Sequence, residues 1–237
     1  DVELNVAGAV LFKDDCHFHP GKLMKLLKAY LENKGVKFQL NSTVTGFEKK
    51  EENVTAVICN NQKINCDQLV IAAGSWSPIV CKMLGIHILV QPGKGYSHTY
   101  ENMDSNLQYP AILVDGRCAV TPWGNSLRIG GTMELSGINN KVLLKRMQGI
   151  YDSAKVFYPG LKIDFPPTDK IWNGLRPVTP DGLPYISKTN EYNNVIIAAG
   201  HAMLGISEGT GTGLLVSQIL SNKKTEIDIS AFSVNRF

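Results

Sequence analysis

One stretch near the carboxyl end constrains the fold most: a short apolar strand that leads through a loop into a glycine-rich helix. Val195 to Ala199 form an unbroken apolar run typical of a buried strand. The small-residue segment 208–220 predicts a helix, and glycines 205, 209, 211 and 213 lie around its start. Glycine permits close backbone approach, and a helix start presents free N–H groups. The turn therefore predicts either an anion-binding site or a tight strand-to-helix connection.

Composition excludes several classes of protein. The 237 residues are 43% hydrophobic and carry a net charge of +3 without a concentrated basic patch, which argues against nucleic-acid binding. No run approaches the ~20 apolar residues of a membrane-spanning helix. The five cysteines are odd in number and include no C-x-x-C pair. We therefore expect no metal site and no disulfide framework, but reduced thiols in a cytoplasmic protein.

The order of predicted elements indicates a mixed α/β fold. A strand at 9–12 precedes an amphipathic helix that starts at Pro20 and stops at Gly35. Short strands are predicted at 36–40, 43–48, 54–59 and 63–66, the later ones as an antiparallel meander, and an apolar strand follows within 67–73. Residues 87–135 predict an antiparallel sheet of five or six strands, including segments 88–91, 126–130 and 133–135. A helix over 139–158 covers one face of that sheet.

An expected nucleotide-binding feature is missing from the sequence. A dinucleotide-binding unit needs a strand, a G-x-G-x-x-G turn and a helix within ~30 residues. The nearest candidate, Glu208 to Gly213, has its glycines at the wrong spacing and lacks a downstream acid. We therefore expect the chain to be the carboxyl-terminal part of a longer protein whose nucleotide-binding unit precedes it.

Five stretches, in order over nearly the whole chain, carry a family resemblance. They are DQLVIAAGSWS (67–77), PGKGY (92–96), LRIGGTME (127–134), GLRPVTPDGLP (174–184) and the GH…G loop (200–205). Together they resemble the FAD-dependent D-amino acid oxidoreductases, a family that includes D-amino acid dehydrogenases and glycine oxidases. Each stretch alone is weak, whereas the five in sequence are specific.

The resemblance implies an α/β (α+β) architecture. Part of a glutathione-reductase-like FAD-binding domain would comprise residues 1–85 and 171–237, and residues 86–170 would form an inserted antiparallel substrate domain. The implied cofactor is FAD, and the implied reaction is oxidation of an amino acid, a D-amino acid in particular, to the imino acid. N-methyl amino acids or 2-hydroxy acids are alternative substrates, and a non-catalytic binding module is an alternative for the chain alone. A quinone or respiratory acceptor would place the cytoplasmic protein at the periphery of the inner membrane.

Arg176 is the expected clamp for the substrate carboxylate. A guanidinium donates two parallel, charge-assisted hydrogen bonds to a carboxylate, and the matching arginine of the family has this role. The alternative is a structural ion pair between Arg176 and Asp181.

The resemblance also implies which residues contact the flavin. The loop and helix start would line the ring and stabilise negative charge on its reduced form; these residues are Gly200, His201, Leu204, Gly205, Ile206 and Ser207. His201 could instead be a simple hydrogen-bonding residue of the loop.

Further cofactor and substrate contacts are expected from both halves of the sequence. Val44, Ala73, Gly74, Trp76 and Gly174 would lie near the rest of the cofactor, with core packing as the alternative for Trp76. On the substrate side we expect Tyr96, His98 and Met203, the first two being equally interpretable as ordinary strand residues. Ala119 and Met203 are apolar where some relatives carry polar groups, which favours a substrate with a side chain larger than that of glycine.

Overall fold

The computed structural model describes residues 2–103 and 105–237. Within them the helices are α1 (Pro20–Asn33), α2 (Ser77–Met83), α3 (Leu144–Phe157) and α4 (Gly205–Leu220). The strands are β1 (Val44–Lys50), β2 (Asn53–Cys59), β3 (Gln62–Asn65), β4 (Leu69–Ile71), β5 (Gln91–Tyr100), β6 (Ala111–Leu113), β7 (Cys118–Trp123), β8 (Ser126–Glu134), β9 (Trp172–Val178), β10 (Tyr185–Lys188) and β11 (Val195–Ala199).

These elements belong to two compact units. The first unit comprises the residues up to Gln39, Lys94–Glu134 and Asn139–Gly174. The second unit comprises Leu40–Gly93, Leu135–Ile138 and Leu175–Phe237. The sequence prediction groups residues 1–85 together, whereas the units separate after Gln39. The assignment of segments to cofactor and substrate stays a prediction.

The predicted first helix is confirmed, but some predicted strands are wrong. The Nδ1 atom of His19 caps α1 by accepting from the Lys22 N–H, Pro20 starts the helix, and Gly35 ends it at φ +89°. Residues 9–12 and 36–40 form no strand, and residues 88–90 precede β5 without pairing. The apolar side chains of residues 10–12 are exposed. Apolar character alone does not make a strand where no neighbouring strand is available to pair with it.

A five-stranded sheet has the order β6-β7-β8-β5-β9, and most of it belongs to the first unit. Its pairs β6–β7, β7–β8 and β5–β8 are antiparallel. The predicted strands 126–130 and 133–135 are one continuous strand, β8. Met147, Ile150 and Ala154 of α3 share a buried core with Leu127 and Ile129 of β8. The prediction that a helix covers one face of the sheet is therefore confirmed. Among the described residues, however, 87–135 supply four of its strands and not five or six, and the fifth strand is β9.

A buried polar cluster joins β5, β8 and the segment before α3. Lys94 and Glu134 are cross-strand partners, and Lys94 Nζ lies 3.5 Å from Glu134 Oε1. Lys94 also donates to the side chain of Asn139 and, at 3.0 Å, to the carbonyl of Lys141. Because Lys94 is fully buried, these acceptors offset the cost of removing its charge from water.

The second unit contains two small sheets. Strands β1-β2-β3 form the predicted antiparallel meander, and a three-stranded sheet has the order β10-β11-β4. Strand β11 is parallel to β4 and antiparallel to β10. Leu215 and Ile219 of α4 pack on Ile186 and Ile196 of this second sheet.

Candidate active site

The parallel pair β4 and β11 brings two predicted cofactor segments to one edge of a sheet. Ile71 pairs with Ile197, so both strands end on the same side. The turn that contains Ala73, Gly74 and Trp76 follows β4, and the loop from Gly200 follows β11. The crevice beyond the carboxyl ends of parallel strands is where open α/β sheets bind their ligands.

The loop after β11 has an unusual backbone and is tied to the strand that carries Arg176. Gly200 adopts φ +94° and Ala202 adopts φ +47°, a conformation that alanine rarely takes. The N–H of Ala202 donates to the carbonyl of Pro177 at 2.9 Å, and His201 forms an isolated β-bridge with Val178. Hydrogen bonds therefore hold the loop beside the residues that directly follow Arg176.

Arg176 keeps its positive charge although it is half-buried. Burial lowers the pKa of its guanidinium, but an arginine side chain stays protonated at any physiological pH. Removing a cation from water strengthens its interaction with an anion that enters the same low-dielectric surroundings. The side chain is thus suited to a carboxylate ligand.

The ion pair that the structure gives Asp181 is with Arg236, not with Arg176. Arg236 Nε and Nη2 donate to the two carboxylate oxygens of Asp181 at 2.8 and 3.0 Å, and the guanidinium lies 4.0 Å from the Tyr185 ring centroid. The hydrogen bonds from Arg236 lower the pKa of Asp181 to about 2. The alternative interpretation of Arg176 requires an ion pair with Asp181. The structure pairs that carboxylate with Arg236 instead.

His201 links the loop to helix α4. Its Nε2 atom lies 2.8 Å from Thr212 Oγ1. Burial lowers the pKa of the imidazole, and the nearby Glu208 opposes that shift. A pKa below the ordinary value means a neutral ring at neutral pH. The contact to Thr212 is the kind expected if His201 is a hydrogen-bonding residue of the loop.

The start of α4 is open on its surface. Leu204 occupies the N-cap position and supplies no side-chain acceptor, so it leaves the amides of Gly205, Ile206 and Ser207 uncapped. Met203 and Leu204 are 68% and 56% exposed, and Ile206 is also exposed. Amide donors beside exposed apolar side chains would suit a flat ring that becomes anionic.

The turn after β4, like the start of α4, combines an exposed apolar side chain with polar groups that have no partner in the described part of the chain. Trp76 is 49% exposed and is therefore not packed as core. The hydroxyls of Ser75 and Ser77 are buried and have no hydrogen-bond partner among the described residues. Unpaired buried hydroxyls, uncapped amides and exposed apolar surface at one sheet edge fit a cofactor with both polar groups and a flat ring.

The remaining predicted residues have other surroundings. In the first unit, Tyr96 is 1% exposed and donates to Glu134 Oε2 at 2.5 Å, and His98 Nδ1 donates to the Lys170 carbonyl at 2.9 Å. Gly174 lies against Trp172, whose ring leaves no room for a side chain there. In the second unit, half-buried Val44 begins β1. Their cofactor or substrate contacts stay predictions.

Some interactions of this site could not be found from sequence patterns. Thr212 as the partner of His201 and Arg236 as the partner of Asp181 depend on the folded chain, 11 and 55 residues apart. Ser75 and Ser77, by contrast, flank Trp76 within the stretch that carries the resemblance, so their position was a usable signal.

The described residues lack both a membrane-spanning helix and a metal-binding cluster. No helix in the described part of the chain is long and apolar enough to cross a membrane. Residues 2–103 and 105–237 contain no group of three or more His, Cys, Asp or Glu side chains arranged to hold a metal ion.

Two solved structures with a similar fold are a glycine oxidase and an L-proline dehydrogenase. Glycine oxidase from Geobacillus kaustophilus superposes with a TM-score of 0.73 at 26% identity, over 83% of this chain and 52% of that chain. L-proline dehydrogenase from P. horikoshii superposes with a TM-score of 0.82 at 20% identity, over 92% of this chain and 59% of that chain. The second likeness shows the fold alone, and both agree with the mixed α/β class.

Sequence relatives and a family match show which family the chain belongs to. A D-amino acid dehydrogenase of Bradyrhizobium diazoefficiens is 34% identical over 229 residues, 94% of this chain and 52% of that protein. One of Allorhizobium ampelinum is 35% identical over 208 residues, 86% of this chain and 48% of that protein. The chain thus spans about half the length of these curated relatives. Because residues 1–219 match the family described as FAD dependent oxidoreductase, the chain belongs to this DAO family.

Proposed function

We propose that this chain provides the flavin-ring and substrate side of an enzyme that oxidises a D-amino acid to the imino acid. One observation carries the proposal. The turn after β4 and the loop after β11 lie at one carboxyl edge, and that loop is hydrogen-bonded to Pro177, next to Arg176. The relatives named D-amino acid dehydrogenase support the choice of substrate.

Each part of this edge has a role in the proposed reaction. Arg176 binds the substrate carboxylate and fixes the orientation of the carbon that bears the amine. The first-turn amides of α4, at Gly205, Ile206 and Ser207, stabilise negative charge. Ala73, Gly74 and Trp76 line the cofactor from the other segment, together with Val44 and Gly174. Bound FAD would supply the chemistry, accepting a hydride from the substrate carbon.

The side chains also limit what the substrate is. The exposed Met203 offers apolar contact, which favours a D-amino acid with an apolar side chain over glycine. His201 Nε2 lies 2.8 Å from Thr212 Oγ1, and we assign this side chain no proton transfer. This proposal keeps residues 86–170 as the substrate segment and residues 1–85 and 171–237 as the FAD segment.

The relatives are named dehydrogenases and not oxidases, which suggests an electron acceptor other than oxygen. We propose that electrons pass to a quinone or respiratory acceptor, with the enzyme cytoplasmic and peripheral to the inner membrane. Washed membranes should then reoxidise the reduced enzyme faster than dissolved oxygen does.

The test uses the complete translation product of the gene that encodes this chain. We expect a flavin absorbance spectrum that bleaches anaerobically with D-alanine or larger apolar D-amino acids. Bleaching by 2-hydroxy acids or sarcosine alone would contradict the proposed substrate. A purified product without flavin would contradict the enzyme proposal and favour a binding module.

A further inference from the structure

Strand β8 buries an acid where the pattern of its sequence predicts an apolar residue. The alternate positions without a polar side chain are Leu127, Ile129, Gly131, Met133 and Leu135. Because alternate residues of a regular strand share a face, this pattern places all five toward the core that α3 covers. Leu127 and Ile129 do lie in that core. Further along the chain, however, Glu134 is 6% exposed and Leu135 is 63% exposed.

A bulge in the pairing of β5 with β8 causes this change of face. Tyr96 of β5 lies opposite Gly131 of β8. Two residues earlier on β5, Lys94 lies opposite Glu134, which is three residues later on β8. The extra residue of β8 reverses the alternation of its side chains. Glu134 therefore lies on the core side, together with Tyr96 and Lys94.

The bulged register has costs in both backbone and side-chain terms. Thr132, within the bulge, adopts φ +58°, in the left-handed region that β-branched residues rarely enter. The register also turns Met133 away from the core, where it is partly exposed, and leaves Leu135 on the surface. Apolar burial and backbone conformation therefore both favour a regular register, without the extra residue. Another interaction has to select the bulge.

The buried charge of Lys94 supplies that interaction. Lys94 is fully buried, and its Nζ atom lies 3.5 Å from Glu134 Oε1. Tyr96 donates to the other carboxylate oxygen at 2.5 Å. In a regular register Met133 would lie opposite Lys94, and the ammonium group would lose this carboxylate. A buried cation that loses its counter-charge is strongly destabilising, so the ion pair favours the bulged register.

We propose that Lys94 and Glu134 form a register lock, a buried ion pair that holds β8 in its strained, bulged register. Without the lock, the apolar alternation over 127–135 draws β8 into the regular register. A single buried polar residue can fix the register of a coiled coil in a comparable way. Both residues and the bulge between them belong to the first unit. The lock involves neither flavin nor substrate, so it and the proposed function fail independently.

Oxidation of Met133 reports the register, because this side chain is partly exposed in the bulged register and would enter the core in the regular one. Hydrogen peroxide converts a thioether to the sulfoxide and is itself reduced to water, at a rate that follows exposure. The complete translation product is oxidised in its folded state, and peptide mass spectrometry gives the rate at Met133 relative to fully buried Met147. We expect Met133 to react about tenfold faster or more in wild type.

The variant that removes the lock is Lys94→Leu. We expect its ratio of Met133 to Met147 oxidation to fall to within about threefold of unity, because Met133 then enters the core. Continued slow oxidation of Met147 shows that the core around α3 is intact. The matched control is Lys63→Leu, which removes the cation of an exposed ion pair with Glu48 and should leave the ratio unchanged.

A rescue variant tests the strain part of the argument. Thr132→Gly relieves the left-handed conformation that the bulge requires. Added to Lys94→Leu, it should recover part of the lost oxidation at Met133, because the bulged register then costs less. Recovery without a change at Met147 would support the lock.

Four outcomes would overturn the proposal: Met133 as slow as Met147 in wild type, a wild-type ratio in folded Lys94→Leu, an equal fall in Lys63→Leu, or no recovery with Thr132→Gly. Should Lys94→Leu unfold, Glu134→Gln keeps the shape of the side chain without its charge. A ratio lower by about threefold or more is then expected. A wild-type ratio in the glutamine variant would contradict the lock.

Discussion

Two arginines of the second unit have side chains suited to carboxylates, and their surroundings separate their tasks. Arg236 binds Asp181 in a bidentate pair and also donates to the carbonyls of Leu183 and Pro184. It thereby fixes the turn between β9 and β10. Arg176 lies on β9 beside the loop after β11. The first arginine is therefore structural, and we assign the second to substrate.

Replacing Arg176 tests this assignment at the level of one residue. We expect Arg176→Ala to raise KM for D-amino acids roughly 30-fold to several hundred-fold, about 2–4 kcal/mol of lost binding. Arg176→Lys should retain part of the binding that the alanine variant loses, because an ammonium group keeps the charge but cannot donate in bidentate fashion. Steady-state kinetics of the complete enzyme give both values, and an unchanged KM in the alanine variant would rule out the clamp.

The Asp181–Arg236 pair predicts a pH dependence of stability. Hydrogen bonds from Arg236 lower the pKa of Asp181 from 3.8 to about 2. The stabilisation is therefore fully present above about pH 4 and is lost as the pH falls toward about 2. Urea unfolding should show wild type more stable than Asp181→Asn at about pH 6, with the difference shrinking at about pH 3. A difference independent of pH would contradict the role of the charged pair.

At the level of elements, Gly200 fixes the turn from β11 into the loop. It adopts φ +94°, and a Cβ atom there would lie 2.6 Å from Thr179 Cγ2. We expect Gly200→Ala to lower the free energy of unfolding by about 1–3 kcal/mol. Gly209→Ala in α4 meets nothing within 4 Å and should stabilise by about 0.5–1 kcal/mol. Adding Thr179→Ser, which removes Cγ2, should recover part of the Gly200→Ala loss; no recovery would mean that the contact is not its cause.

Asn194 joins the meander to the sheet that carries the site. Its side chain accepts from the Val54 N–H at 2.9 Å and donates to the carbonyls of Val54 and Asp67 at 2.7 and 2.9 Å. Asn194→Leu removes all three hydrogen bonds, two of them buried, so we expect a loss of about 2–4 kcal/mol in unfolding free energy. Asn193→Ala removes only an exposed bond to Glu52 and should change little. Equal effects of the two variants would contradict this account of the junction.

Elements with local signals were the ones that sequence analysis could predict. Helix α1 has a proline start, a glycine stop and an apolar stripe, and the meander β1-β2-β3 has alternation and an Asn60-Asn61 turn. Residues 9–12 form an apolar run and residues 36–40 alternate apolar and polar, but neither segment pairs with another strand, and a single sequence does not contain that information. The prediction of two strands, at 126–130 and 133–135, was wrong. Gly131 and Thr132 look like a break in the sequence, yet they continue β8.

For the whole molecule, the family and the mixed α/β class were predicted correctly from five stretches taken together. The edge where Gly74, Trp76 and the Gly200 loop meet follows from the strand order β10-β11-β4, which only the structure supplies. The partners of Asp181 and His201 arise from the packing of the folded chain, so no spacing rule could give them. Sequence thus proposed segments for the site, and the structure supplied their neighbours.

One measurement tests the central claim most directly: anaerobic flavin bleaching by D-alanine and by D-alaninamide, which lacks the carboxylate, in wild type and in Arg176→Ala. If Arg176 holds the carboxylate beside the loop after β11, wild type should prefer D-alanine over the amide by about 30-fold or more. Arg176→Ala should reduce that preference to within about threefold, which is the coupling expected if the guanidinium contacts the carboxylate. An equal preference for D-alanine in both proteins would contradict the account.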